Sequence, residues 1–197
     1  MGLILSYQAG QTPLDSEQIE GLKIKTIATQ QQLNEFEQAN INEALKWLNS
    51  KRKIQDVLSE EFMIQLHKRM LGIVWKWAGQ LRKSETNIGI AWTKIPIELR
   101  GLIDDAKFWV EHQTYPSEEI AIRFKHRLVS IHCFPNGNGR HSRIMADLIA
   151  SHVLGLEKFT WGHSGLVEPS AQRKEYLHAL HLADGGDFSQ LLQFAKS

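Results

Sequence analysis

His132-Cys133-Phe134-Pro135-Asn136-Gly137-Asn138-Gly139-Arg140-His141-Ser142-Arg143 is the stretch that decides how this chain is read. Upstream of it, Pro116-Ser117-Glu118-Glu119 starts a segment in which Ile120, Phe124, Leu128 and Ile131 recur at helical spacing. Pro135 stops that helix, because the residue before a proline is pushed out of the helical region. Downstream, a second helix is expected from about Gly139 to about Leu154, with Gly155 as its stop. The quoted residues therefore form a turn between two helices, and the turn is unusually rich in chemistry.

His132 falls at the carbonyl end of the first helix. That end favours positive charge, so a proton on the imidazole is expected to be stabilised there, which suits a general base. Residues 136–139 can expose successive backbone N–H groups, with glycines permitting the positive φ angles that an anion-binding nest requires. The second helix presents its N-terminus to the same spot. Arg140 and Arg143 lie three apart, so both can reach one side of it, and guanidinium forks suit phosphate oxygens. Singly, each feature has a plainer reading: a tight turn, a helix-end histidine, a solvated basic face. Their conjunction points to a base beside a di- or triphosphate.

Other chemistries fit less well. One cysteine, Cys133, excludes an intramolecular disulfide framework, and a cytoplasmic location is expected. His132, Cys133 and His141 match no common zinc spacing, and no Gly-x-x-x-x-Gly-Lys-(Ser/Thr) loop is present. Cys133 as a nucleophile is disfavoured because helix neighbours point about 100° apart. The net charge of +1 supplies no field for nucleic acid or membrane, so neither is expected as a partner. The opening residues 1–9 are apolar but too short for a membrane span. The six tryptophans are spread at core-like spacing rather than as a stacking platform.

The rest of the chain also reads as mostly helical. After a loop over 10–13, Asp15 can cap a short helix at 16–22. Longer helices are expected over 30–49 and 59–77, the latter capped by Ser59 and ended by Gly79. Thr86-Asn87-Ile88-Gly89-Ile90-Ala91-Trp92 alternates apolar with small or polar residues, which predicts a short strand or hairpin. Pro96 starts a helix that continues to about Gln113. A loop around Pro169, a helix over 171–182, a Gly185-Gly186 turn and a last short helix complete the chain.

Residues 132–143 resemble the signature of the Fic family, His-x-Phe-x-(Asp/Glu)-Gly-Asn-Gly-Arg-x-x-Arg. Trp77-Ala78-Gly79-Gln80-Leu81-Arg82 resembles the family's helix end before its flap. Thr12-Pro13-Leu14-Asp15 and Leu33-Asn34-Glu35-Phe36-Glu37-Gln38-Ala39-Asn40-Ile41 resemble the bacterial subgroup called mobile mystery protein B, typically encoded beside a helix-turn-helix protein. The resemblance implies an all-α, Fic-type helical domain with a short β-hairpin flap. The core would span 51–197 and follow an extension over 1–50. The implied activity is transfer of AMP from ATP, with Mg2+, to a Ser, Thr or Tyr hydroxyl of a target protein or of the chain itself.

Carried over residue by residue, the resemblance makes His132 the general base and Phe134 a buried anchor. Gly137, Asn138 and Gly139 would hold the α- and β-phosphates. Arg140 would bind phosphates and Arg143 would reach the γ-phosphate. Asn136 departs from the pattern, standing where the family often has an acidic metal ligand. An amide oxygen ligates a hard cation without charge, so transfer of another phosphate-containing group, removal of AMP, or a catalytically weak nucleotide-binding regulator stay open. Ser16-Glu17-Gln18-Ile19-Glu20-Gly21 matches the family's inhibitory pattern, which would set Glu20 against Arg143.

Overall fold

A computed structural model describes residues 5, 12–50, 54, 56–164 and 171–197. The loop expected around Pro169 lies outside the described residues, as do residues 1–11 apart from residue 5. Eight α-helices form among the described residues: α1 (Ser16–Glu20), α2 (Gln30–Asn49), α3 (Glu60–Leu71), α4 (Ile95–His112), α5 (Ser117–Ile131), α6 (Asn138–Leu148), α7 (Ala171–Asp184) and α8 (Ser189–Lys196). Their starts are written locally. Asp15 and Thr29 each close a capping box, with Gln18 and Gln32, and Ser59 caps α3.

Helix α5 is the central element. It packs against α4, α6 and α8, and buries Ile120, Phe124, Leu128 and Ile131. Helix α3 joins this centre through α6 and α4 and carries α2 on its other side. Met63, Leu66, Met70 and Leu71 on α3 are fully buried, which is the main source of stability available to helices of this length. None of the helices among the described residues is long and apolar enough to cross a membrane.

The structure corrects two expectations. Helix α3 ends at Leu71 rather than near Trp77. Asn40 of α2 intercepts it: its amide donates to the Arg69 carbonyl at 2.7 Å and accepts the Ile73 N–H at 2.8 Å. The chain beyond then bonds elsewhere, with Lys23 N–H donating to the Val74 carbonyl at 2.8 Å and Lys76 N–H to the Gly21 carbonyl at 2.9 Å.

The β-hairpin flap is also absent; no strand forms among the described residues, which include the whole of 84–92. Strand pairing needs backbone groups free to face one another, and here Arg82 takes them. Its guanidinium donates to the carbonyls of Ser84, at 2.9 Å, and Ile90. Thr86 adds a hydroxyl bond to the Ile88 carbonyl at 2.7 Å. The segment closes as an irregular loop around one side chain.

Candidate active site

The site is built where α5 stops and α6 begins. Helix α5 ends because His132 adopts a left-handed conformation, φ 57° and ψ 59°, that no helix can continue. Arg82 pins the turn from outside. Its backbone N–H donates to the Cys133 carbonyl at 2.9 Å, and its Nε donates to the His132 carbonyl at 2.7 Å. Gly89 brings the 84–91 loop close: a Cβ there would meet the His132 Cβ at 2.5 Å, and its φ of 108° suits glycine alone.

His132 is buried, and its pKa is lowered to about 4. Burial is the main cause and the Arg82 cation the second; the Val129 carbonyl opposes both. The expected stabilisation of a proton by the helix end is therefore overturned, because desolvation of the ring outweighs a dipole effect. The buried Nδ1 has no hydrogen-bond partner among the described residues, and in the tautomer that carries its proton there the acceptor is Nε2. That nitrogen lies 2.8 Å from the Thr12 hydroxyl, itself buried.

The loop after His132 is held chiefly by side chains of α3. Phe134 is the expected buried anchor, its ring stacked on His67 of α3 with centroids 3.7 Å apart. His67 uses both nitrogens: Nδ1 accepts the Gly79 N–H at 2.9 Å, which leaves Nε2–H to donate to the Asn136 carbonyl at 2.9 Å. Burial, followed by His141, holds it well below the ordinary histidine range. Gly137 has φ 80°, and a Cβ on it would lie 2.6 Å from Leu71 Cδ1 and 3.3 Å from His67 Nε2. The positive φ expected of the nest occurs at this glycine; Gly139 lies inside α6.

Gly137 places no side chain over the start of α6, and among the described residues no side chain caps the first-turn amides of Asn138, Gly139 and Arg140. Asn138 contributes only its backbone there. Its side chain turns inward, accepting the Phe134 N–H at 3.0 Å and donating to the Phe134 carbonyl at 2.8 Å. Asn136 is likewise engaged: its Oδ1 accepts the Gly137 N–H at 2.6 Å and its Nδ2 donates to the Thr12 carbonyl at 3.2 Å.

The two arginines reach different neighbours. Arg140 pairs with Glu37 of α2 at 2.7 Å, and the same carboxylate accepts the Trp75 indole N–H at 2.6 Å. Arg143 points toward α7, 5.6 Å from the centre of the Tyr176 ring, beneath which the buried Lys125 Nζ lies 4.5 Å away. Glu20 is exposed and forms no ion pair among the described residues. His67 and Lys125 were not singled out from sequence, since nothing in their local pattern separates them from ordinary helix residues. Thr12, Glu37 and Arg82 stood inside motif segments without a role.

A divalent cation finds little here. Among the described residues no three His, Cys, Asp or Glu side chains cluster to hold one. Asn136 offers a single amide oxygen, already turned onto Gly137. Among the described residues the protein's own donors do not make a metal centre, so no step below is routed through one.

A base at a helix end, a left-handed glycine and an uncapped helix start arise here from one twelve-residue stretch. Residues 57–150 match the Fic/DOC family. That match covers a little under half of the chain. It is 28% identical over 158 residues to the protein adenylyltransferase Fic of Drosophila virilis, across 77% of this chain and 30% of that protein. The Drosophila melanogaster protein of the same name is 28% identical over 156 residues, with the same coverage. The chain thus spans about 30% of the length of the curated relatives it matches. BepC of Bartonella tribocorum, solved with bound AMPPNP, superposes with a TM-score of 0.68 at 16% identity, over 96% of this chain and 93% of that one. C. elegans Fic-1 superposes at 0.63 with 23% identity, over 80% and 46%. These two likenesses concern the Fic fold.

Proposed function

We propose that this chain is a Fic-type protein adenylyltransferase that transfers AMP from ATP to a Ser, Thr or Tyr hydroxyl. His132 Nε2 takes the hydroxyl proton as the oxygen attacks the α-phosphorus, and pyrophosphate leaves with the electron pair of the broken P–O bond. The uncapped amides of α6 and the Gly137 turn receive the phosphate charge, with Arg143 and Lys125 adding positive charge on the α7 side. Magnesium, when it accompanies the nucleotide, neutralises phosphate charge, and Asn136 is the one loop side chain that could lend it an oxygen.

The observation that carries this reading is a buried, neutral His132 whose Nε2 already holds a hydroxyl at 2.8 Å beside the uncapped start of α6. The curated relatives named for this activity support it. In the same reading the chain is cytoplasmic, and the subgroup likeness of the 12–15 and 33–41 segments adds a helix-turn-helix protein as a partner. The test uses ATP labelled in the α-phosphate and, separately, in the γ-phosphate. Protein labelled only from the α position supports AMP transfer; label from the γ position would replace it with phosphate transfer.

A second reading, a nucleotide-binding regulator with negligible turnover, is favoured by the Glu37–Arg140 pair, which occupies a motif arginine. Product from the wild-type chain rules that reading out, whereas product from a Glu37→Gln variant alone would favour it. The sequence match at Glu20 has no contact to support a brake there; Glu37 is the carboxylate that competes with phosphate in this proposal.

A further inference from the structure

Thr12 is held at two points inside the site. Its hydroxyl lies 2.8 Å from His132 Nε2, and its carbonyl accepts the Asn136 side-chain N–H at 3.2 Å. It is 5% exposed, whereas the residues that follow it, Pro13 and Asp15, are exposed. The residue before a proline is pushed toward extended backbone.

That chain is fastened to the core. Asp15 caps α1, and the Trp77 indole N–H donates to the Gln18 carbonyl at 3.1 Å. Residues 21–23 then pair with 74–76 through two backbone bonds. A short, anchored tether therefore delivers one hydroxyl to the base.

From this geometry we infer that Thr12 is an acceptor of the chain's own transfer reaction, an intramolecular AMP-modification site. The inference rests on the adenylyltransferase reading above. His132 Nε2 removes the proton from Thr12 Oγ1, the Oγ1–Pα bond forms, and the bond between Pα and the bridging oxygen of ATP breaks. Pyrophosphate departs and His132 is left protonated until it releases the proton to solvent.

Holding acceptor and base together removes the entropy cost of a second collision, so modification proceeds without encounter between two chains. A structural hydroxyl could satisfy a buried imidazole equally well. It would not need the carbonyl of the same residue to be gripped by the phosphate loop, as Asn136 grips it here.

The test incubates the purified full chain with ATP and magnesium chloride, then maps the adduct by mass spectrometry. Lys23 is the first basic residue, so trypsin releases residues 1–23 as one peptide, in which Ser6, Tyr7, Thr12 and Ser16 are the hydroxyl candidates. The inference predicts AMP on Thr12, formed with a first-order rate that does not change on dilution. The adduct is retained in Thr12→Ser and lost in Thr12→Ala and His132→Ala.

AMP on Ser6, Tyr7 or Ser16 with Thr12 unmodified would overturn it, as would full labelling of Thr12→Ala or a rate proportional to protein concentration. The wild-type chain is assayed in parallel on a cell lysate with labelled ATP. Transfer to lysate proteins with an unmodified 1–23 peptide makes Thr12 an inert plug: this inference fails while the functional reading stands. Transfer to nothing overturns the functional reading, and this inference with it.

Discussion

Glu37 on α2 and Arg140 on α6 form an ion pair of 2.7 Å across the entrance to the phosphate loop, with the carboxylate buried and the guanidinium partly open to solvent. The pair joins the N-terminal part of the chain to a motif arginine, so in the proposed reading nucleotide phosphates and Glu37 would compete for one fork.

Replacing Glu37 with Gln removes the competing charge while leaving an oxygen for the Trp75 indole. We expect ATP affinity to rise about fivefold, the equivalent of roughly 1 kcal/mol. Glu20→Gly should leave affinity unchanged, because Glu20 is exposed and touches neither motif arginine. Calorimetric titration of both variants with ATP decides this, and an effect at Glu20 alone would reverse the assignment.

The pH dependence follows from burial. With His132 at about 4, the base is neutral well below neutrality, so kcat/KM should stay flat from about pH 8 to about pH 5.5. A histidine at its ordinary 6.5 would instead show an acid limb there. Stability moves differently. His132 and His141 both lie at about 4 when folded, so between that value and 6.5 the unfolded chain binds more protons. Their contribution is complete above 6.5 and declines as pH falls toward 4. Asp147, raised to about 6 by burial, opposes them over the lower part of that window. His67 and His126, also lowered by burial, act in the same direction as His132 and His141, so the carboxyl is outweighed and the urea midpoint should be lower at about pH 5 than at about pH 7. A higher midpoint at the acid pH would contradict the buried, neutral rings.

Arg82→Lys keeps the charge but loses the planar fork that spans the His132, Ser84 and Ile90 carbonyls. One ammonium cannot replace three directed bonds, so a loss of about 1–3 kcal/mol in stability is expected. Amide exchange should quicken across 84–91 and remain slow in α2. Uniform protection would show that Arg82 does not organise the loop.

Much of the helical frame was legible because its signals are local. Thr29 with Gln32, Ser59, Pro96 and the Leu128–Ile131 periodicity act within a turn or two of themselves. The failures came from side chains that act at long range. Asn40 cuts α3 short from about thirty residues away in sequence, a distance at which local propensity is silent. Arg82 dissolves an alternating pattern that reads as strand. The proton affinity of His132 depends on burial and on Arg82, neither of which appears in the spacing of the motif. The motif's own turn was readable because glycine, proline and helix ends constrain the backbone directly.

Asn136→Asp should act on two contacts at once. It removes the donor to the Thr12 carbonyl and sets a negative charge against that oxygen, loosening the residue-12 segment. It also supplies charge for a hard cation. Magnesium titration of the ATP complex should therefore give tighter binding in the variant, and hydrogen exchange should rise near residue 12. Unchanged magnesium binding would mean that residue 136 does not face the nucleotide's cation.

The central claim is that His132 acts in the chemical step of AMP transfer and not in holding the nucleotide. The direct measurement is a single-turnover assay with ATP labelled in the α-phosphate, run alongside ATP affinity, for the wild type and His132→Ala. The account predicts that the variant binds ATP within about threefold of the wild type, while transfer falls by about 10²–10⁴-fold, the usual worth of a positioned base. Transfer at the wild-type rate by His132→Ala would contradict it.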